Sequence, residues 1–564
     1  MVARAATRLT LIATLALAAP AAASWPPGGM LVSSPGAIHG VFNARIMELP
    51  VGDLAVLGVG GGGNSNVYVL QRVSRDGVIA AGWPAGGVGF SFVLPAIALP
   101  AQSIVVDDAS RTWHSWSASG AKLESITADA TLVPAFTPYN LGSSSLMVHA
   151  APAPGDEVFV TCTSARLKRI TATGAPASGW TSTGVALPGW DLDDNAVLPD
   201  GSGGVVVFMR TASAGTPAPI ATRIDGNGVR HTGWPATGLA LGSVATGATI
   251  TMDSQLLPSG PDHMLAVWSP DNGSGTRRLM MQRFGLDATL DPAWPADGLV
   301  VASDTLWACC ALADGAGGAY VVRESDGRPV ATHITAAGGT LGGTDVEITD
   351  AGARYRPICC WGIPTNVMNP AAMIADVTPD GGLLVGWNDA RLAPAVSFRL
   401  RWLTPSLTPA PGKPDTGLVY FPGSPNVYAG SMLAVRADGN DAAFVAWGDN
   451  RSYELGHGDL WMTRVQAPAP VGVDPSSPRA LALSAPRPNP ARTAVAFDLT
   501  LPDDSPARVE LLDVAGRAVR SKLVHGAGLH LVSFPDVGSL PPGLYLARVT
   551  TRTDSRCVRL ALTH

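Results

Sequence analysis

Two rhythms of apolar and polar positions recur along most of this chain. A Gly-rich turn opens a continuous apolar run, as in Leu198-Pro-Asp-Gly-Ser-Gly-Gly-Val-Val-Val-Phe208 and Asp314-Gly-Ala-Gly-Gly-Ala-Tyr-Val-Val322. Turn chemistry at the start and β-branched residues after it predict a short buried strand. A polar loop follows, then a strand of alternating character such as Leu279-Met-Met-Gln-Arg-Phe284. A second Gly-rich turn leads to a tail, Trp-Pro-x-x-Gly, and one more strand. The order returns at Asp380-Gly-Gly-Leu-Leu-Val-Gly-Trp-Asn-Asp-Ala-Arg391 and again from Asp438 to Val465. Each unit therefore predicts four short strands.

The tails order these units. They stand at Trp83-Pro84…Gly87, Trp234-Pro235…Gly238 and Trp294-Pro295…Gly298, with weaker copies at Trp180…Gly184 and Lys413-Pro414…Gly417. Degenerate tails lie near 136 and 343. Their spacing is that of one propeller blade, which predicts an all-β fold with a β-propeller of about eight blades, seven being the alternative. The last unit has strands but no tail. A stray copy, Trp25-Pro26…Gly29, would complete it, so that one blade is built from both ends of the ring and two sheet edges are covered. The repeated tryptophans read as packing between blades, at about 25 cal/mol per Å² buried, rather than as sugar platforms. With its Trp-x-Asp-x-Arg and Asp-Gly-x-x-x-x-Gly-Trp-Pro phrases, residues 24–466 resemble the propeller-like repeat of large secreted bacterial proteins.

After Val465 the rhythm changes. Residues 467–483 form a Pro-rich linker, and 484–564 show strands at Ala494–Leu501, Ala507–Val514, Leu529–Phe534, Gly543–Thr550 and Cys557–Leu562. Their spacing predicts a small β-sandwich. The phrases Pro486-Arg-Pro-Asn-Pro490, Val509-Glu-Leu-Leu-Asp-Val-Ala-Gly-Arg517 and Leu540-Pro-Pro-Gly-Leu-Tyr-Leu-Ala-Arg548 occur in the order seen in a known family. The module resembles the C-terminal sorting domain of type IX secretion substrates and the related immunoglobulin-like domain of the flagellar hook-cap protein. Members often carry a Lys near the final strand, where this chain has Arg559 and His564. The resemblance implies an immunoglobulin-like sandwich, contact with the secretion machinery, and release or attachment at the cell surface. It implies no catalysis.

Residues 1–23 read as a signal peptide: Arg4 and Arg8 precede an apolar stretch from Leu9 to Ala19, then Ala21-Ala22-Ala23. No other stretch is long and apolar enough to span a bilayer, so no transmembrane segment is expected in the mature chain. The net charge of -6 and the absence of Lys/Arg blocks argue against nucleic acid as a partner. In an oxidising compartment Cys309, Cys310, Cys359 and Cys360 could form disulfides across neighbouring blades. The other reading is four small buried residues.

Candidate chemistry is sparse. Trp387-Asn-Asp389-Ala-Arg391 and Trp447-Gly-Asp449-Asn-Arg451 place Asp389, Arg391, Asp449 and Arg451 in polar loops, where forked hydrogen bonds could hold a carboxylate or sugar hydroxyls. Recurrence of the pattern favours turn capping instead. Asp191, Asp193 and Asn195 space oxygens as in a calcium loop, although Ala196 stands where such a loop needs Gly and no Glu closes it. An ordinary acidic turn is the simpler reading, and no cofactor is expected beyond that weak calcium candidate. His114, between Trp113 and Trp116, reads as packed among aromatics; His263 and His457 stand alone. Serine-hydrolase, zinc-protease and phosphate-loop motifs are missing, and Glu is scarce.

These features predict an exported protein whose propeller binds a glycan or protein ligand without catalysis. An extracellular polysaccharide hydrolase or lyase with its site in the propeller funnel is the alternative, and a structural envelope component is a third reading. Around one mouth of the channel, an enzyme should gather unrepeated acids or histidines. A binder should expose aromatics there.

Overall fold

The computed structural model describes residues 25–26, 29–33, 41–62, 65–93, 103–117, 121–131, 139–142, 149–162, 165–188, 195–211, 218–242, 249–271, 277–304, 309–325, 328–348, 373–389, 397–414, 417–420, 432–449, 459–467, 481–502, 505–525, 528–552 and 554–563. The first eight sheets each have four antiparallel strands, named a to d from the first to the last position in the sheet. Sheet 1 comprises Val41–Glu48, Leu54–Gly62, Ser65–Val73 and Val88–Val93. Sheet 2 comprises Ser103–Val106, Thr112–Ser117, Ala121–Ile126 and Tyr139–Gly142. Sheet 3 follows with Ala150–Ala153, Glu157–Cys162, Arg166–Ile170 and Val185–Ala186. Asn195–Pro199, Val205–Arg210, Pro219–Ile224 and Leu239–Ala240 make sheet 4. Thr249–Pro258, His263–Asp271, Arg277–Gly285 and Leu299–Asp304 make sheet 5. Sheet 6 holds Cys309–Ala313, Ala319–Ser325, Arg328–Ile334 and Thr340–Glu347, and sheet 7 holds Met373–Val377, Leu383–Asp389, Ser397–Leu403 and Leu418–Tyr420. In sheet 8, Met432–Asp438, Ala442–Asp449 and Asp459–Gln466 are completed by Met30–Leu31 as strand d.

That last pairing is the closure expected from the stray tail. Met30 lies opposite Met462 and Leu31 opposite Trp461. Val32 joins the apolar cluster between sheets 8 and 1, with Phe444, Leu460, Ile46, Leu54 and Val56. Seven further clusters fill the seams between successive sheets, so the ring is closed by burial at every step. Both faces of the strands b are covered. This is why the strand b runs, such as Val205 to Phe208, are continuously apolar and almost fully buried. Neighbouring sheets touch mainly through their strands a, which therefore line the axis of a β-propeller.

Beyond residue 481 a three-stranded sheet (Ala482–Leu483, Val495–Leu501, Gly528–Phe534) packs on a four-stranded one (Ala518–Val524, Ala507–Leu512, Gly543–Thr550, Ser555–Leu562). Phe497, Leu499, Val509, Leu511, Tyr545, Val549 and Leu560 form its core. Strand Ala518–Val524 was not expected from the sequence. It is an edge strand carrying Arg520, Ser521 and Lys522 with no buried residue, so no apolar alternation marks it. Each family phrase has a structural task. Asp513 accepts the N–H groups of Ala515 and Arg517, and Gly516 supplies a φ of 78°. The Tyr545 hydroxyl donates to the Pro541 carbonyl at 2.8 Å, and Asn489 bonds the outer edge of the last strand at Arg559 and Ala561.

Candidate functional site

Antiparallel order puts the a–b and c–d connections of every sheet at one end of the ring, and the b–c and d–a connections at the other. The first end is built from tight turns. In sheets 1 to 7 the c–d turn is the same four-residue turn, closed by bonds such as Gly77 N–H to Ser74 and Gly228 N–H to Asp225. The second residue of each turn presents its carbonyl to the preceding sheet. Trp25 donates to Arg75 at 2.9 Å, Trp83 to Ala128 at 2.8 Å, Trp180 to Gly226 at 2.9 Å, Trp234 to Leu286 at 2.9 Å and Trp294 to Ala336 at 2.8 Å. The tail tryptophans are thus staples between sheets. Where the tail is degenerate another donor substitutes: Arg111 reaches Ala172, and His333 reaches Pro405.

Arginines on strand c reinforce the staples. Arg72, Arg169 and Arg223 donate to Ala128, Gly226 and Leu286, the carbonyls already held by tryptophan. Each is oriented by a carboxylate of its own sheet, namely Asp53 at 2.7 Å, Glu157 at 2.5 Å and Asp200 at 2.8 Å. Burial acts to raise the Asp200 carboxyl, but bonds from the Ser202 and Gly204 N–H groups and from Arg223 outweigh it, and the net shift is downward. This end of the ring is occupied by its own architecture.

The sequence-derived candidates belong to the opposite end. Asp389 and Asp449 terminate strands b of the adjacent sheets 7 and 8, opposite Ser397 and Asp459. Trp387 and Trp447 of the same phrases are fully buried core residues. Arg391 and Arg451 lie outside the described residues, as do Asp191, Asp193, Cys359 and Cys360. Cys309 and Cys310 open strand a of sheet 6, opposite Arg323 and Val322. Asn195 opens strand a of sheet 4 with its side chain buried, and its Oδ1 accepts from the Thr161 hydroxyl at 3.0 Å. Among the described residues no group of three or more His, Cys, Asp or Glu is arranged to hold a metal ion.

Three arrangements had no signal in the sequence. At the axis, Arg436 on strand a of sheet 8 lies 3.5 Å from Asp376 of sheet 7 and 3.7 Å from Glu48 of sheet 1. Burial raises the Asp376 carboxyl, and Arg436 only partly offsets this. Between sheets 1 and 2, His114 packs edge-on against Tyr68 at 4.5 Å and lies directly opposite Glu124. Burial, aided by the positive charge of Arg45, pushes His114 down to about 3, and burial pushes Glu124 up to about 7. Finally, His263 is not isolated: it bonds Asp262 at 2.6 Å and shares a cleft of about 420 Å³ with His231, Asp287 and Arg223 at the turn end of sheets 4 and 5. Each grouping adds residues of a neighbouring sheet (Glu48 and Asp376 to Arg436, Tyr68 to His114, Arg223 and His231 to His263), and that part leaves no trace in spacing along the chain.

Comparison with known proteins separates the two parts. Residues 487–562 match the secretion system C-terminal sorting domain. No curated protein matches the chain. Among solved structures the chain is similar to Porphyromonas gingivalis dipeptidyl peptidase 4 (9% identity, 84% of this chain and 68% of that one, TM-score 0.39). It is also similar to the polysaccharide lyase Uly1 (10% identity, 78% and 91%, TM-score 0.30) and to the SapL1 lectin in complex with alpha methyl fucoside (12% identity, 56% and 99%, TM-score 0.29). None of these likenesses bears on what this chain binds. Among the described residues no helix is long and apolar enough to cross a membrane. The chain is a β-propeller protein that carries a type IX secretion C-terminal sorting domain and is secreted or attached at the cell surface.

Proposed function

We propose that this is an exported, non-catalytic binding protein whose propeller engages an extracellular glycan or protein ligand at the loop end of the ring. The commitment of the turn end carries this reading: its repeated turn carbonyls are taken up by tryptophan and arginine staples between sheets, and the ligand is therefore assigned to the b–c and d–a connections, which lie almost wholly outside the described residues. Ligand-binding residues concentrate on connections held by a rigid scaffold. Asp389 and Asp449, at equivalent positions of adjacent sheets, would present paired acceptors to hydroxyls or to a basic side chain, with Arg391 and Arg451 beside them in sequence. In this reading residues 1–23 are the leader, 24–466 the binding ring, 467–483 a spacer and 484–564 an immunoglobulin-like address for the secretion machinery.

One observation favours the enzymatic alternative. Glu48 and Asp376 are unrepeated carboxyls near the axis, as a polysaccharide hydrolase or lyase would need. Both face Arg436, which suits an internal ion cluster equally well. The deciding experiment presents purified mature protein to arrayed bacterial and host glycans and to soluble polysaccharides, reading retention and new chain ends together. Retention without chain cleavage, weakened in the Asp389→Asn/Asp449→Asn double variant, supports binding. Chain cleavage abolished by Asp376→Asn would replace that reading with the enzymatic one.

A further inference from the structure

One staple differs chemically from the rest. At the strand c position where sheets 1, 3 and 4 carry Arg72, Arg169 and Arg223, sheet 6 carries His333. Its contacts are those of the arginines. Nε2 lies 2.9 Å from Asp314 Oδ2 in the a–b turn of its own sheet, and Nδ1 lies 2.6 Å from the Pro405 carbonyl in the c–d turn of sheet 7. Neither acceptor can donate: one is a carbonyl oxygen and the other a carboxylate whose remaining oxygen takes the N–H groups of Ala316 and Gly318. Both bonds therefore exist together only when both ring nitrogens carry hydrogen, that is, when the imidazole is a cation.

We infer that His333 is a proton-gated clamp between sheets 6 and 7, holding both Asp314 and the Pro405 carbonyl when cationic and releasing one of them when neutral. A guanidinium keeps its proton at every physiological pH, whereas an imidazole exchanges one near neutrality. The arginine staples of the other seams have no such exchange. The surroundings fit a cation. The ring is buried and stacks on Tyr320 at 4.1 Å with planes 26° apart, and the face of an aromatic ring attracts positive charge. Asp314 is the ionised group facing it from sheet 6. Asp380, in the a–b turn of sheet 7, acts with Asp314 on the Tyr320 phenol, which burial pushes upward and which stays neutral. The guanidinium of Arg401 on sheet 7 is turned to the Ile348 carbonyl. Burial works against Asp314 ionising, but the bonds from His333, Ala316 and Gly318 lower it overall, so the acceptor facing the imidazole is a carboxylate.

The sign follows from linkage. The two contacts together require the cationic imidazole, so the clamp's contribution is present at low pH and lost as pH rises. Hydrogen exchange on the full chain tests this, comparing about pH 5.5 with about pH 8 after correction for intrinsic rates. Segments 328–339 and 404–410 should lose protection about tenfold at the higher pH, the loss of one charged hydrogen bond. Segments 166–174 and 225–229, joined by Arg169, serve as the internal control and should not respond. In His333→Arg the response should vanish with protection kept, and in His333→Gln protection should be low at both values. Equal behaviour of the histidine and arginine seams in the wild-type chain would overturn the inference, whether or not either variant folds. So would a pH response that survives in His333→Arg.

Discussion

The indole nitrogen of Trp25 donates to the backbone carbonyl of Arg75 at 2.9 Å, so the first tail of the chain staples its last sheet to its first. The same bond joins Trp83 to Ala128 within the ring. Trp25→Phe keeps most of the aromatic packing against Phe444, whose ring centre is 5.9 Å away, and removes only the donor. The expected cost is about 1 kcal/mol, the ordinary net value of one hydrogen bond. Urea unfolding of Trp25→Phe and Trp83→Phe should give matching losses. A cost-free Trp25→Phe would mean that closure depends on strand pairing alone.

Gly29 ends the same tail with a φ of 88°, and a Cβ there would lie 2.3 Å from Trp447 Cη2. Gly29→Ala combines left-handed strain with a clash against a fully buried ring, and about 3 kcal/mol should be lost. Gly52 is the control, because its φ is 86° and nothing lies within 4 Å of the added carbon. Gly52→Ala should cost about 1 kcal/mol, from backbone strain alone. Thermal unfolding of both variants separates the two terms, and equal losses would refute the clash.

The Arg223–Asp200 pair is nearly buried and also ties sheet 4 to Leu286 of sheet 5. Removing one partner leaves the other charge uncompensated, so Arg223→Ala should cost about 3 kcal/mol. The Asp200 carboxyl is depressed in the fold. Its contribution is therefore present above the ordinary carboxylate range and is lost as pH falls through the lowered folded value. Acid titration of stability should show a shallower fall in Asp200→Asn than in the wild type; parallel curves would contradict the assignment.

His114 and Glu124 act in opposite directions with pH. His114 falls from 6.5 to about 3, so stability is lost as pH drops below 6.5, where only the unfolded imidazole takes a proton. Glu124 rises from 4.5 to about 7, so the fold holds a proton there and stability is lost as pH climbs between those values. Glu124→Gln should flatten the stability profile from pH 4.5 to 7, and His114→Gln should flatten it below 6.5. Denaturant midpoints across this range test both, and a Glu124→Gln profile that superimposes on the wild type would remove the buried carboxyl from the account.

A chain lacking residues 484–564 should remain inside the outer membrane while the ring still folds. Cell fractionation with intact-mass measurement reads the outcome. Export of the truncated chain to the medium would show that the ring itself carries an address.

Much of the ring is local chemistry. Gly-rich turns, continuous apolar runs and the Trp-Pro-x-x-Gly tails act over a few residues, so the repeat, the four strands per unit and the closing role of Trp25 can be read in order from the chain. The sorting module is equally readable, because Asp513, Gly516 and Tyr545 each hold a turn by a short-range bond. The functional groupings depend on distance in space. Arg436 meets Glu48 and Asp376 only because three sheets converge on one axis, and His114 faces Tyr68 only because two sheets share a seam. His333 looks like any polar strand residue until the next sheet places a carbonyl against it. Turn and strand signals are properties of neighbouring residues, whereas a seam joins segments some tens of residues apart, and no local pattern encodes what the other side presents.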